Sequence, residues 1–188
     1  MTRARLEEIY KSDIRPKLQK ELDLKNIMEV PELSKIVINV GVKDAVADSK
    51  VLNTVTKAIE LIAGQKSVKT LSKKSIASFK LRKGMPIGVR VTLRKKRMYE
   101  FLDRLINLAL PKTRDFQGVS TTAFDERGNY NLGLKEWIVF PEINYEVTDK
   151  VYGLNVTICT RMGTKDSELA GKYSRELLKQ FGMPFRRA

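Results

Sequence analysis

A chain of 188 residues with 42% hydrophobic side chains is long enough and apolar enough to bury a core, which excludes a disordered basic tail. Lys and Arg outnumber Asp and Glu by 36 to 22, and the net charge of +14 calls for a polyanionic partner, either nucleic acid or an anionic membrane surface. There is no histidine and a single cysteine, Cys159, which removes the commonest general base, the commonest metal ligand and any internal disulfide or multi-cysteine zinc site.

Residues 4–22 space Leu6, Ile9, Tyr10, Ile14, Leu18 and Leu22 as the buried stripe of a helix, with Pro16 as a kink or restart. Charges of both signs there, including Glu7, Glu8 and Asp13, argue against a secretory signal or a transit peptide. No apolar run reaches the roughly 18 residues that a bilayer span requires. The expectation is a reduced, cytoplasmic, catalytically poor protein. From Leu33 to Val42, the residues Ile36, Ile38, Val40 and Val42 alternate with Lys35, Val37 and Asn39, the pattern of a half-buried strand. Ser49 to Ala63 returns to helical spacing, with Leu52, Val55, Ile59 and Ile62 on one side and Gly64 where a C-terminal cap belongs.

Short strand-like pieces follow near 67–71 and 75–80, and LRKGMPIG (81–88) reads as an exposed basic loop. IGVRVTLR (87–94) is the cleanest strand: Ile87, Val89, Val91 and Leu93 face inward, Arg90, Thr92 and Arg94 outward. Met98 to Leu110 predicts an apolar helix stopped by Pro111. Residues 111–133 are polar and Gly/Pro-rich, a loop long enough to be functional or mobile. KEWIVF and EINYEV, within 134–147, are further strand candidates. Val151 to Arg161 alternates again, with Tyr152, Leu154, Val156 and Ile158 inside and Asn155, Thr157 and Arg161 outside. A last helix from about Asp166 repeats Leu169, Tyr173, Leu177 and Phe181.

This order predicts one α+β domain over residues 1–188, with a basic loop near 80–88 and a long loop near 111–133. Its sheet is expected to be mainly antiparallel, with helices packed on one face and the polar face open for RNA. Asn39, Arg90, Thr92, Arg94, Asn155, Thr157 and Arg161 would line that face, with donors and acceptors suited to phosphate, 2′-hydroxyl and base edges. The charge is concentrated. Residues 61–99 carry twelve Lys and Arg and no Asp or Glu, so this block supplies +12 of the net +14. A short charge run is ordinarily a solvated surface. A 39-residue stretch without one acid, alternating like a strand, is better explained as a folded basic face that displaces counterions from a phosphate backbone.

Other sites fail on their residues. GQKS (64–67) is no phosphate loop, since Gln65 separates Gly64 from Lys66 and position 59 is Ile59. GMPIG (84–88) could cradle a phosphate, but an ordinary turn is the default. Asp125 and Glu126 beside Arg127 lack the third partner a metal needs. Cys159 has no histidine to activate it. Phe79, Tyr130 and Trp137 could stack on bases, although Trp137 sits in an apolar run that suits a core. No catalytic group, metal site or cofactor is expected. A nuclease or modifying enzyme would need clustered carboxylates or a nucleotide pocket. A general polyanion or membrane-surface binder would not distinguish heparin or vesicles from RNA.

VPELSKIVINVGV (30–42), GQK (64–66), KKSIASFKLRKGMPIGVRVTLR (73–94), RDFQG (114–118), FDERGNYNLGLKE (124–136), FPEINYE (140–146) and FGMPF (181–185) together resemble the bacterial L-five family of large-subunit ribosomal proteins. These segments occur in the family's order and cover nearly the whole chain. The resemblance implies a ribosomal protein that holds 5S rRNA in the central protuberance. By motif that role falls on Asn39, Gln65, Lys66, Thr92 and Arg94, with Lys73, Lys74 and Phe79 nearby; Arg90 joins them from the open-face reading. The basic loop with Lys80, Arg82, Lys83, Gly84 and Met85 matches the segment that reaches the elbow of P-site tRNA. Residues 111–146 are similar to the part facing the small-subunit head, where it helps form an intersubunit bridge. The implied partners are therefore 5S rRNA, large-subunit rRNA, P-site tRNA and a small-subunit head protein. Neither a membrane nor a homo-oligomer is implied.

Overall fold

The computed structural model describes residues 4–143, 150–163 and 167–186. Five strands form one antiparallel sheet: β1 (Glu32–Gly41), β2 (Val68–Leu71), β3 (Pro86–Leu93), β4 (Tyr130–Leu134) and β5 (Leu154–Arg161), in the order β2-β3-β1-β5-β4. β2 pairs with β3 from Val68 opposite Arg90 to Leu71 opposite Pro86, with an irregularity between Thr70 and Leu71. The alternation read from the sequence sets the faces. Ile36, Ile38, Val40, Val89, Val91, Leu93, Leu154, Val156 and Ile158 are all at 2% exposure or less. The intervening polar positions are half-buried or exposed. Gly88 is required by crowding, because a Cβ there would lie 2.7 Å from the Val40 carbonyl oxygen and 2.8 Å from Thr70 Oγ1.

Cα packing divides the chain into two compact units, Met1–Ile36, Leu93–Leu132 and Thr157–Ala188 in the first, Val37–Thr92 and Gly133–Val156 in the second. In the second, α3 (Ser49–Ala63) buries Leu52, Val55, Ala58, Ile59 and Ile62. The Asp48 carboxylate accepts the Lys50 N–H at 2.8 Å to cap its start, and Gly64, left-handed at φ 61°, closes its end. KEWIVF is not a strand. Trp137–Val139 forms a 3-10 turn in which the Phe140 N–H donates to the Trp137 carbonyl. That i, i+3 turn lets Trp137 and Phe140 both be buried completely, whereas alternation would leave Trp137 and Val139 on one side and Phe140 on the other. EINYEV lies outside the described residues from position 144 onward.

The first unit bears out Pro16 as a restart and shifts the helix end read at Pro111. α1 (Arg5–Ile9) passes through a π turn, Tyr10–Ile14, into α2 (Arg15–Glu21), which carries Pro16 in its first turn. α4 (Lys95–Arg104) likewise passes through a π turn, Leu105–Ala109, into α5 (Leu110–Lys112), which carries Pro111. Pro111 lies inside the last turn of its helix, which ends one residue later at Lys112. In each case the residue before proline donates five back, Arg15 to the Tyr10 carbonyl and Leu110 to the Leu105 carbonyl. The wider turn absorbs the missing N–H and the bulk of the ring. Tyr10, Tyr99 and Phe181 pack together, with Tyr10 and Phe181 stacked at 5.9 Å. Phe181 follows α6 (Ser167–Gln180), and Gly182 after it turns the chain in the left-handed region at φ 86°.

The stretch 111–133 is more ordered than its composition suggests. The chain after Gly182 returns to it: the Val119 N–H donates to the Pro184 carbonyl at 2.8 Å and the Arg186 N–H to the Val119 carbonyl at 2.9 Å. Phe124, Tyr130 and Phe185 form an aromatic cluster, and β4 begins at Tyr130. The sequence carries no local sign of this order, because the partner of the loop is some 60 residues away along the chain.

Candidate nucleic-acid interface

The second unit gathers the expected 5S rRNA residues other than Arg94. On the polar parity of the strands, Arg90 and Asn155 are exposed and Asn39 and Thr92 half-buried. Beyond the end of α3, Gln65 Nε2 donates to the Thr92 carbonyl at 3.2 Å, tying the turn after the helix to the end of β3. Lys66 projects exposed beside it. Glu60 Oε1 accepts both the N–H and the hydroxyl of Ser67, at 2.9 and 3.3 Å, so this carboxylate is engaged within its own turn. Lys69, on β2, is exposed and donates to Asn53 Oδ1 at 2.7 Å.

The basic loop is a small built structure. The Ser72 N–H donates to the Met85 carbonyl and the Gly84 N–H to the Ser72 carbonyl, while Ile76 and Leu81 bridge as antiparallel partners. The Ser75 hydroxyl accepts the Lys83 N–H at 3.0 Å, and the Ser72 hydroxyl donates to the Lys74 carbonyl at 2.7 Å. Lys80 turns the loop in the left-handed region at φ 52°. Lys73, Lys74, Phe79, Lys80, Arg82 and Lys83 are all exposed on this frame. Met85 is turned inward instead, half-buried, with its sulfur 3.2 Å from the Arg82 N–H. The Gly84 amide is already bonded, which removes it as a phosphate donor.

Within the first unit, Arg94 is exposed ahead of α4, and Arg161 is exposed at the end of β5. Thr157 donates to Asn131 Oδ1 at 2.8 Å. Cys159 is half-buried, and burial pushes its thiol above the ordinary value, so it is not an activated nucleophile. Of the three aromatic stacking candidates, only Phe79 is available, at 68% exposure. Trp137 and Tyr130 are fully buried, and the Tyr130 hydroxyl donates to the Ser120 carbonyl. Asp125 is occupied by its own turn: although partial burial raises its carboxyl, the Asn129 side chain and the backbone N–H groups of Asn129 and Arg127 hold it below the usual carboxylate range. GQKS lies at the C-terminus of α3, where the helix dipole disfavours phosphate.

Electrostatically the basic face is unmatched. Lys66, Lys73, Lys74, Lys80, Arg82, Lys83, Arg90 and Arg94 make no ion pair among the described residues. Lys43 is a further exposed lysine without an ion pair among them, and it lines one groove with Phe79 and Lys80. Sequence reading misses it, because it stands outside the acid-free block and only folding brings 41–47 to 78–81. In all, the described residues present open polar strands, a hydrogen-bonded basic loop and one exposed aromatic ring, without an assembled catalytic constellation among them. That is the make-up of a nucleic-acid-binding scaffold.

Comparison with known proteins fixes which one. Residues 26–82 match the family described as Ribosomal protein L5, and residues 86–185 match the C-terminus of the same ribosomal family. The chain is similar to the large ribosomal subunit protein uL5 of Geobacter sulfurreducens, 54% identical over 97% of this chain and 99% of that protein. It is 54% identical to the protein of the same name from Geotalea uraniireducens and 55% to that from Trichlorobacter lovleyi, with the same coverage. The chain belongs to the ribosomal protein L5 family, and it is a structural protein, not an enzyme.

Proposed function

We propose that this protein, a structural constituent of the large subunit of the cytoplasmic ribosome, holds 5S rRNA on the polar side of its strands. The observation that carries this reading is the set of cations within 61–99 that are exposed and have no ion pair among the described residues, beside the open polar positions of β1, β3 and β5. Approach is electrostatic, through counterion release. Recognition then rests on hydrogen bonds from Asn39, Arg90, Thr92 and Arg94 to phosphate, 2′-hydroxyl and base edges. Gln65 positions the end of β3 through the Thr92 carbonyl, and Lys66, Lys73 and Lys74 supply backbone charge.

The basic loop is the proposed contact for P-site tRNA, with Lys80, Arg82 and Lys83 outward and Gly84 and Met85 serving its shape. The region 111–146 is the proposed side toward a small-subunit head protein. The test of the central claim is a competition at physiological salt. Purified protein should retain 5S rRNA against heparin, anionic vesicles and bulk tRNA, and the native protein should sediment with the large subunit. Equal affinity for all four ligands would reduce it to a general polyanion binder.

A further inference from the structure

Two of the motifs that carry the family resemblance, RDFQG (114–118) and FGMPF (181–185), are far apart in the chain and meet within the first unit. Gly182, left-handed at φ 86°, turns the chain out of α6, and 183–186 then runs alongside 118–119. The Val119 N–H donates to the Pro184 carbonyl at 2.8 Å and the Arg186 N–H to the Val119 carbonyl at 2.9 Å, while Val119 and Phe185 pair as a parallel bridge. Gly118 is the crossing point: its φ is 98°, and a Cβ there would lie 2.7 Å from the Arg186 nitrogen. Among the described residues, the backbone of 117–122 bonds to other backbone at Val119 alone, and both partners there come from 183–186. The Phe185 ring then closes on Phe124 and Tyr130, at 6.2 and 5.8 Å between centroids. The Tyr130 hydroxyl in turn donates to the Ser120 carbonyl at 2.7 Å.

We infer that residues 183–186 are a strap whose docking sets the order of 117–131, and that this docking gates the contact proposed for 111–146 across the subunit interface. The segment 117–122 has no backbone partner of its own to fall back on. With the strap off, Val119 loses both bonds, and Phe124 and Tyr130 lose one wall of their cluster. The strap can lift without unfolding the framework. Phe181 and Met183 are buried and belong to the core, but Pro184 and Phe185 are half-buried and Arg186 is exposed. An element held by two backbone bonds and one half-buried ring sits at the low-stability end of a fold, where switching segments are found. The surface it controls is polar, with Arg114, Asp115, Gln117 and Ser120 exposed. A partner that needs these groups in place binds in proportion to the docked population. The gate rests on the reading that 111–146 faces the small-subunit head; the strap itself does not.

Deletion of 184–188 removes the Pro184 carbonyl and the Arg186 N–H but keeps α6 and the buried Met183. Hydrogen exchange compares this variant with the full chain. Exchange should rise by at least about tenfold, the scale of one net hydrogen bond, at Asp125 and Asn131 as well as at Val119. Asp125 and Asn131 donate to the Asn129 and Ala123 carbonyls, so neither loses a partner directly. Amides of α3 and the affinity for 5S rRNA should not change. Gly118→Ala, which crowds the strap from the other side, should open the same amides, and the two losses should not add; it carries the test alone if the deletion does not fold. Large subunits rebuilt with either variant should keep 5S rRNA and join small subunits more weakly, about tenfold where about one-tenth of the strap stays docked. If exchange changes at Val119 only, the loop keeps its own order and the strap is overturned. If Asp125 and Asn131 open while subunits join normally, Arg114→Ala with Gln117→Ala in the otherwise unaltered chain decides the cause. Weakened joining then overturns the gate alone. Normal joining overturns the reading of 111–146 as the side toward the small subunit, and the gate with it.

Discussion

The segment 61–99 and the helical framework around it treat charge in opposite ways. In the framework several charges are answered internally: Arg5 pairs with Asp103, Lys11 with Glu7 and Lys179 with Glu176. Arg5 holds the Asp103 carboxyl below the usual range by hydrogen bonding. In 61–99 Lys96 pairs with Glu100 across one turn of α4 at 3.5 Å, while Lys66, Lys73, Lys74, Lys80, Arg82, Lys83, Arg90 and Arg94 make no ion pair among the described residues. A surface that leaves its cations unanswered accepts self-repulsion in the free protein and recovers it when a polyanion binds. Position within the fold, more than residue type, separates structural charge from binding charge.

The largest expected effect belongs to the framework. Phe101→Ala, at a residue with 0% exposure, should lower stability by about 3–5 kcal/mol in urea unfolding, and Leu18→Ala by about 2–5 kcal/mol. The proposal that residues 1–188 fold as one domain adds that each variant should unfold in a single transition. Next in size, Thr92→Ala with Arg94→Ala should weaken 5S rRNA binding by roughly 2–4 kcal/mol in a filter assay, the scale of one charged and one neutral hydrogen bond. Its circular dichroism should be unchanged, because neither side chain belongs to the core. Undiminished affinity would dissolve the contrast between the two regions.

Smaller again, Lys73→Ala with Lys74→Ala should flatten the dependence of log affinity on log salt by about one unit for each phosphate no longer neutralised, measured by titration at several salt concentrations. The corresponding pair from the framework, Lys11→Ala with Lys179→Ala, should leave that slope alone.

The gentlest probe is pH. Burial pushes the hydroxyls of Tyr10 and Tyr130 up to about 12, from an ordinary value of 10.0. Their folded state favours the neutral phenol, so this stabilisation is complete below pH 10 and is lost as pH rises from 10 toward about 12. Thermal melts should show the midpoint falling over that window, and Tyr10→Phe or Tyr130→Phe should shallow the fall.

The strands with clean alternation are legible in the sequence, because a period of two fixes which side of a strand is buried whatever packs on it. So is α3, with its stripe and Gly64, while its Asp48 cap is seen only in the structure. KEWIVF misleads because short apolar runs are ambiguous until a neighbour decides, and Trp137 is buried edge-on against the Tyr152 ring, 5.3 Å between centroids. Pro111 lies inside the last turn it was expected to stop, because a proline's cost depends on whether the preceding turn can widen, which is a matter of packing. Tyr130 reads as free to stack and is core, since Phe124 and Phe185 enclose it.

By itself the sequence determined the class of protein, which face of its strands is polar and the family, because charge, alternation and ordered motifs are properties of the chain read in line. Tertiary structure alone decided that Tyr130 and Trp137 are buried while Phe79 stays exposed, and that Lys43 joins Lys80 and Phe79 along one groove. Those outcomes depend on packing between residues far apart in sequence, and such packing leaves no periodic trace to read.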